Sequence, residues 1–364
     1  MATRIAHGVN LPFIPTLGEP TSWAGPYTGV SFVGAPSALI HVFGGANSSL
    51  IGSNGMPHAV QSKDHNAETY YLDVPNITDA QPWRNFSGDI KGTATGTEFI
   101  LIPNSTSSHD TWKGVAMEDG KFLIVWGPNA GATSKLLEWD VDNNSVKIDK
   151  DSDSTAINYD EHTFGDIERF AMCQAGDGNI YAFGGIKNSN NAWYLNINQY
   201  NPAGETWTLM SGDTLALGKV CMFATMLADG RIWFGGGSRQ ASCSIGQNQY
   251  ETFYWDPTQS AGNRLSNGPT LPSVGYVAAG TLDYRNAGVV TLGDGEVLIA
   301  CSEGGSSNTY IFNPVSETFR QALVELPFRY LGESNFSHSI MRLPDQRILL
   351  LSNGNTYISE HATP

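Results

Sequence analysis

The sequence predicts an all-β protein built from repeats, and its composition and one recurring stretch carry this prediction. The 364 residues include 40 glycines, 11% aromatic residues and only 15% charged residues, a composition that favours short strands and turns over helices. The recurring stretch is NIYAFGG, residues 179–185, which follows an Asp-Gly turn pair. Because strand side chains alternate between the two faces, we expect Ile180 and Ala182 on one face and Tyr181 and Phe183 on the other.

A unit of about four strand candidates returns along most of the chain. Most units contain a hairpin in which two apolar strands flank a turn such as Asp-Gly. In the first unit, the strand LIHVFGG precedes a polar excursion from Ala46 to Asn66, and the strand TYYLDVP follows. The hairpins of the later units read GVAMEDGKFLIVWG, RFAMCQAGDGNIYAFGG, VCMFATMLADGRIWFGG, AGVVTLGDGEVLIACSEGG and SIMRLPDQRILLLSNG.

The spacing of these hairpins predicts a β-propeller. Corresponding turn positions from Gly120 to Gln346 follow one another at intervals of 58, 52, 65 and 51 residues. Repeats of roughly 50 residues with about four strands each are typical of propeller blades. The chain is therefore expected to form a single domain, 1–364, with six four-stranded blades. The expected divisions are a closing strand within 1–22 and blades at 23–83, 84–150, 151–210, 211–270, 271–325 and 326–364.

The sixth unit lacks a fourth strand, and this predicts how the ring closes. A propeller leaves no free sheet edge when one terminus completes the blade that the other terminus began. We expect the segment Thr3 to Phe13 to pair with the strand around Tyr357 to Ser359. The long stretch from 84 to 112 keeps seven blades open as an alternative.

The repeats resemble the Kelch family. The resemblance is carried by double glycines, by turns in which an aromatic residue precedes Asp-Pro or Asn-Pro, and by aromatic residues of the fourth strand. These are Gly44-Gly45, Gly184-Gly185, Gly235-Gly236 and Gly304-Gly305; Tyr200-Asn201-Pro202, Trp255-Asp256-Pro257 and Phe312-Asn313-Pro314; and Trp83, Trp207 and Phe319. The resemblance covers nearly the whole chain and implies a Kelch-like propeller, an architecture that hosts enzymes, lectins and protein-binding scaffolds alike.

Charge and cysteine usage exclude some function classes. The formal net charge is −15, without a long basic run, so nucleic-acid and anionic-membrane binding are disfavoured. The N-terminal segment lacks the apolar core of a signal peptide, and no apolar run reaches the ~18 residues needed for membrane insertion. Cys173, Cys221 and Cys301 lie in apolar strand-like stretches and are expected to be small buried hydrophobes, whereas Cys243 lies in a polar loop as a candidate free thiol. No disulfide framework is predicted.

The sequence carries no recognisable catalytic or metal motif. The Kelch-type enzymes that the architecture resembles are the copper radical oxidases, which require a cysteine cross-linked to tyrosine with further tyrosine and histidine ligands. The eight histidines are dispersed and none follows a tyrosine. An EF-hand-like spacing from Asp140 to Asp151 has Ser145 where that loop needs glycine. We expect no catalytic residue, no metal site and no cofactor, and keep an enzyme with an axial site as an alternative.

Candidate binding residues lie in the loops expected between second and third strands, which share one face of a propeller. They are residue types favoured in recognition surfaces: His58, His65, Trp193, Tyr194 and Arg239. For Trp193 and Tyr194, packing back onto the blade is the competing interpretation. The function expected is non-catalytic assembly or attachment, in a virion or at an extracellular surface, with protein partners or a surface glycan. A glycan- or protein-binding module acting alone is the alternative.

Overall fold

The computed structural model describes the strands given below and six longer stretches. These stretches are 167–187, 192–204, 206–240, 249–273, 282–303 and 306–322. The described regular structure consists of strands only, arranged in six four-stranded sheets and one two-stranded sheet. Within this part of the chain, no helix has the length and apolar character needed to cross a membrane.

The first strand of the chain is β1 (Phe13–Pro15), and the four-stranded sheets are numbered 1 to 6 in chain order. Sheet 1 consists of β2 (Ile40–Val42), β3 (His58–Lys63), β4 (Asn66–Leu72) and β5 (Trp83–Asp89), and sheet 2 of β6 (Trp112–Ala116), β7 (Lys121–Trp126), β8 (Lys135–Asp140) and β9 (Ser145–Ile148). The two-stranded sheet pairs β10 (Ile167–Glu168) with β13 (Ile186–Lys187). Sheet 3 consists of β11 (Ala171–Gln174), β12 (Ile180–Phe183), β14 (Asn196–Asn201) and β15 (Thr206–Thr214).

The remaining sheets complete the strand inventory. Sheet 4 consists of β16 (Phe223–Met226), β17 (Ile232–Gly235), β18 (Thr252–Trp255) and β19 (Leu265–Asn267). Sheet 5 consists of β20 (Leu282–Thr291), β21 (Val297–Glu303), β22 (Ser306–Asn313) and β23 (Thr318–Gln321), and sheet 6 of β24 (Ser339–Arg342), β25 (Ile348–Ser352), β26 (Asn355–Ser359) and β1. Sheets 1 to 5 are antiparallel and ordered along the chain, whereas sheet 6 adds β1 to the antiparallel strands β24 to β26. The first strands of sheets 2 to 6 contact one another in succession. The described part of the chain is therefore β-propeller-like.

The edge of sheet 6 contains the pairing expected of the N-terminal segment. Phe13 pairs with Ser359 and Pro15 with Tyr357, in antiparallel register. The paired residues begin where the expected segment ends, so β1 lies at its C-terminal limit. Residues 3–12 of that segment lie outside the described residues.

The first unit differs from expectation in its strand order. The stretch LIHVFGG contributes β2, which is the first strand of sheet 1 and not the second. The polar excursion expected from 46 to 66 contains β3, which pairs with both β2 and β4. Two strands also run past expected blade limits, since β5 continues beyond 83 and β15 beyond 210. Polar residues such as Gln61 and Ser62 hide the strand character of β3 from a hydrophobicity pattern.

Apolar side chains fill the spaces between adjacent sheets. In β12, Ile180 and Ala182 belong to the core shared with sheet 2, and Tyr181 and Phe183 to the core shared with sheet 4. The alternation predicted for NIYAFGG is thus confirmed. Sheet 4 repeats it, because Phe234 of β17 faces sheet 3 and Trp233 faces sheet 5.

Aromatic stacking joins the sheets across these cores. The rings of Phe183 and Phe234 stack with centroids 4.0 Å apart, and those of Trp233 and Phe312 with centroids 4.3 Å apart. Such pairs contribute roughly 0.5–1.5 kcal/mol beyond the burial of their area. Sheets 3, 4 and 5 are therefore held to one another by the same kind of contact.

Adjacent hairpin turns also meet through their backbones. The N–H of Gly176 donates a 2.9 Å hydrogen bond to the carbonyl of Gly230. A Cβ atom at Gly176 would lie 2.7 Å from the Cα of Gly230, closer than packed atoms can approach. Only glycine at position 176 permits this approach between sheets 3 and 4.

We expect Gly176→Ala to lower the free energy of unfolding by about 1–3 kcal/mol, because the added methyl group forces the two turns apart. Denaturant unfolding followed by intrinsic tryptophan fluorescence measures the change. The matched control is Gly204→Ala, whose Cβ would meet side-chain atoms and no backbone: Oγ1 of Thr206 at 3.3 Å, and Cγ and Oδ1 of Asn201 at 3.8 and 3.9 Å. Equal losses in the two variants would contradict this explanation.

Candidate functional site

The hairpin turns of sheets 3, 4 and 5 share one geometry. In each turn a carboxylate oxygen accepts a hydrogen bond from the backbone N–H two residues later, at 3.0 Å for Asp177 and 3.1 Å for Asp229 and Asp294. The glycine after each aspartate has a positive φ, between 81° and 87°, which favours glycine. The aspartates therefore have a structural role in shaping the turns.

A cavity opens where these turns converge, and we call it the turn cavity. Its volume is about 850 Å³, which is within the usual range of small-molecule sites. The last residues of four successive first strands line it: Gln174, Met226, Thr291 and Arg342. These four occupy corresponding positions, because each pairs with the first residue of its neighbouring second strand.

Two polar side chains of the cavity wall are buried. Gln174 is 6% exposed and Thr291 is 9% exposed. The amide Nε2 of Gln174 donates to the carbonyl of Gly178 at 3.0 Å, and the hydroxyl of Thr291 donates to the carbonyl of Met226 at 2.6 Å. These bonds hold both side chains in one orientation at the cavity wall.

Arg342 differs from the other three residues of the wall because its side chain is charged. Its Nε is buried, and within the described part of the chain it has no hydrogen-bond partner. Burial lowers the pKa of the Arg342 guanidinium below its ordinary value, against the opposing effect of the Asp294 charge. A buried N–H of a charged group without an acceptor is costly, so the Nε of Arg342 favours an external acceptor such as an anion.

The acidic side chains of the rim already form ion pairs or hydrogen bonds with other residues of the chain. Asp229 forms an ion pair with Arg231 at 2.7 Å, and the Arg231 guanidinium lies 4.6 Å from the ring centroid of Tyr254. Asp256 accepts hydrogen bonds from the backbone N–H of Thr258 at 3.0 Å and from its hydroxyl at 2.6 Å. The rim thus presents carboxylates whose geometry is fixed before any ligand arrives.

The residues expected from the sequence to bind a ligand do not meet at this cavity. His58 begins β3, where it pairs with Tyr71, so its placement in a loop between second and third strands is wrong. His65 lies outside the described residues. Tyr194 is 4% exposed within the core shared by sheets 2 and 3, and its hydroxyl bonds to the Asn198 side chain. For Tyr194, packing onto the blade is the correct interpretation.

Trp193 and Arg239 lie on connections at the other end of the strands from the turn cavity. Trp193 is 38% exposed, and its ring rests on Gly218, where a Cβ atom would lie 2.4 Å from Cγ of Trp193. Arg239 is exposed. Binding by these two side chains stays a prediction.

A buried ion pair lies near Arg239. The side chain of Lys219 is 1% exposed, and its Nζ donates to the carboxylate of Glu251, which is 53% exposed, at 2.8 Å. Burial lowers the pKa of the Lys219 ammonium, although Glu251 opposes this effect. Burial works to raise the pKa of Glu251, but the hydrogen bond and charge of Lys219 outweigh it and hold that pKa below its ordinary value.

The cysteines require one correction. Cys173 is 3% exposed and free, and burial raises the pKa of its thiol to about 12, so its expected role as a small buried hydrophobe is confirmed. Cys221 is buried as expected, but it takes part in a disulfide bond. Its partner lies outside the described side chains. Spacings alone did not reveal this bond, because the cysteines form no close sequence pair.

No cluster of three or more His, Cys, Asp or Glu side chains suited to a metal ion occurs within the described ranges.

The sequence motifs did not identify the residues of the turn cavity. They lie at the position before each turn, where the repeats differ: Gln174, Met226, Thr291 and Arg342. A comparison of the repeats at this position could have identified these residues.

Comparisons with known proteins support the fold alone. No protein-family model and no curated protein matches the chain. Among solved structures, it is similar to a fungal alcohol oxidase of the AA5 family in complex with copper, with a TM-score of 0.51 and 11% identity over 90% of this chain and 76% of that one. A streptogramin B lyase matches with a TM-score of 0.45 and 10% identity, over 93% and 96% of the chains. The extracellular domain of a hybrid two-component system from B. thetaiotaomicron matches with a TM-score of 0.43 and 11% identity, over 91% and 39%.

The Lys219–Glu251 pair predicts an asymmetric response to mutation. We expect Glu251→Gln to lower the free energy of unfolding near neutral pH by about 1–3 kcal/mol, because the buried ammonium loses its opposite charge and keeps only the backbone carbonyl of Glu251, at 3.3 Å, as an acceptor within the residue. The half-exposure of Glu251 keeps this loss below that of a fully buried pair. Lys219→Met, the control, leaves a carboxylate that water can reach and is expected to cost less than about 1 kcal/mol.

The loss in Glu251→Gln should depend on pH. Without Glu251, the pKa of Lys219 in the folded protein falls further below its unfolded value, so the unfolded state binds more protons and stability rises with pH in that window. Urea unfolding at about pH 6 and about pH 9.5 is expected to show a smaller loss at the higher pH. A pH-independent loss, or a larger loss in Lys219→Met, would be inconsistent with a charged buried amine.

Proposed function

We propose that the chain forms a six-bladed, Kelch-like β-propeller, closed by β1 in the sheet of β24 to β26. Three observations support this proposal: the six four-stranded sheets, the successive contacts of first strands from sheet 2 to sheet 6, and the pairing of β1 with β26. The double glycines support the Kelch resemblance. Gly184 and Gly185 have φ values of 62° and 107°, and Gly235 and Gly236 have values of 153° and 64°.

A cross-link tests the closure. Ile14 and Ile358 are register partners, and paired Cα atoms in antiparallel strands lie within disulfide distance. We expect the Ile14→Cys/Ile358→Cys variant to form an intramolecular disulfide under oxidation, detected as a reducible mobility shift and by peptide mass. The control is Ile14→Cys with Met341→Cys, since Met341 lies in β24 at the far edge of sheet 6. Cross-linking of the control pair alone would contradict the closure.

We propose that the propeller is a non-catalytic attachment module and that the turn cavity is its binding site. The observation that carries this proposal is a cavity with pre-oriented polar groups and one unpaired guanidinium. Among the described residues that line it, there is no His, Cys or Lys, and its rim carboxylates are engaged in hydrogen bonds within the chain. This arrangement suits recognition of a polar ligand more than acid/base or nucleophilic chemistry. A place in a virus or phage particle stays a prediction.

Blocking the cavity tests the binding proposal. Ala228 is exposed and lines the cavity, so Ala228→Trp is expected to fill its mouth without disturbing the core. The control is Val315→Trp, at a residue that is 96% exposed in the turn before β23. On an array of immobilised surface glycans, we expect the unmodified protein and Val315→Trp to retain the same ligands, and Ala228→Trp to retain them at least about tenfold less tightly. Unchanged binding by Ala228→Trp would place the site elsewhere.

A further inference from the structure

We propose that the turn cavity binds a sugar that carries a carboxylate group, and that Arg342 binds this carboxylate. This inference rests on the function proposed above and specifies its ligand. The wall and the rim of the cavity differ in charge. The wall contains the unpaired Arg342 beside the buried side chains of Gln174 and Thr291, whereas the rim contains the exposed Asp177 and Asp229.

The guanidinium of Arg342 favours a planar anion. Its buried Nε has no hydrogen-bond partner among the described residues. Burial also disfavours the charged form of the side chain. A carboxylate matches the fork of guanidinium N–H donors and forms two charge-assisted hydrogen bonds with it. A ligand with such a group would give the buried Nε an acceptor and add to the partial compensation that the Asp294 charge provides.

The charge of the whole lining limits the negative charge that a ligand can carry. Asp229 and Arg231 neutralise each other, which leaves Asp177 and Asp256 opposite Arg342. The lining therefore has a net charge of about −1, which disfavours phosphate and sulfate dianions and polyanions. One carboxylate at the deep arginine is compatible with it.

The remaining polar groups suit a ligand rich in hydroxyls. The rim carboxylates accept hydrogen bonds from hydroxyl groups, and the Oε1 atom of Gln174 is an acceptor because its Nε2 already donates to Gly178. Leu227 and Leu292 also line the cavity and add apolar character that suits the C–H faces of a sugar ring. The volume of about 850 Å³ leaves room for more than a single ring. A uronic acid combines the carboxylate, the hydroxyls and the apolar ring faces.

Calorimetric titration with D-glucuronate, D-glucose and D-glucose 6-phosphate tests this inference. For the unmodified protein, we expect D-glucuronate to bind at least about tenfold more tightly than the other two sugars. Arg342→Gln is expected to remove about tenfold or more of this affinity and to leave D-glucose binding unchanged. The matched control is Lys187→Gln, which removes a positive charge from β13, away from the cavity lining, and should bind D-glucuronate like the unmodified protein.

A thermal melt separates binding from structure. Because Arg342 is unpaired, Arg342→Gln is expected to melt within about 2 °C of the unmodified protein or above it; a clearly lower midpoint would assign Arg342 a structural role and overturn the inference. Equal binding of D-glucuronate and D-glucose, tighter binding of the phosphate, or no binding of D-glucuronate would also overturn it. Loss of glycan binding in Ala228→Trp together with unchanged binding in Arg342→Gln would refute the carboxylate and keep the site. Unchanged binding in Ala228→Trp would refute the site itself.

Discussion

A four-stranded sheet with apolar side chains on both faces is stable only when a neighbouring sheet covers each face. Sheets 3 and 4 meet this requirement on both sides, through the cores that they share with each other and with sheets 2 and 5. The same packing sets the first strands side by side. The turn cavity exists because this packing brings the ends of those strands together, so binding and stability depend on one set of contacts.

The hairpins could be predicted because their information is local. An Asp-Gly turn between alternating apolar residues specifies both the pairing and the face of each side chain, and Ile180 and Tyr181 lie on the faces expected of them. The strand β3 was missed because its sequence HAVQSK is largely polar. Its partners on both sides, β2 and β4, supply the hydrogen bonds that make it a strand, and a hydrophobicity pattern does not record such pairing.

The cavity could not be predicted from any one repeat. Gln174, Met226, Thr291 and Arg342 are separated by more than 50 residues at each step, and they meet only after four sheets have packed. Sequence reasoning selected loops at the opposite ends of the strands because those loops vary in length and carry aromatic and basic residues. A difference between blades at one position is a weaker sequence pattern than a variable loop. It nevertheless changes the chemistry of the cavity wall, while the turn that follows keeps its shape. The disulfide bond of Cys221 could not be predicted for the same reason, because it depends on which cysteines lie close together in the fold.

The pairing of β1 with β26 has a mechanical consequence. Phe13 and Ser359 are register partners, and they are the outer ends of the two strands, so tension applied to both ends of the chain acts at the same end of this short ladder. Such a load separates the hydrogen bonds one after another and does not shear them all at once. Sheet 6 would therefore open at low force. A force applied between one end of the chain and a ligand bound in the turn cavity would not pull both strands of this ladder from the same end.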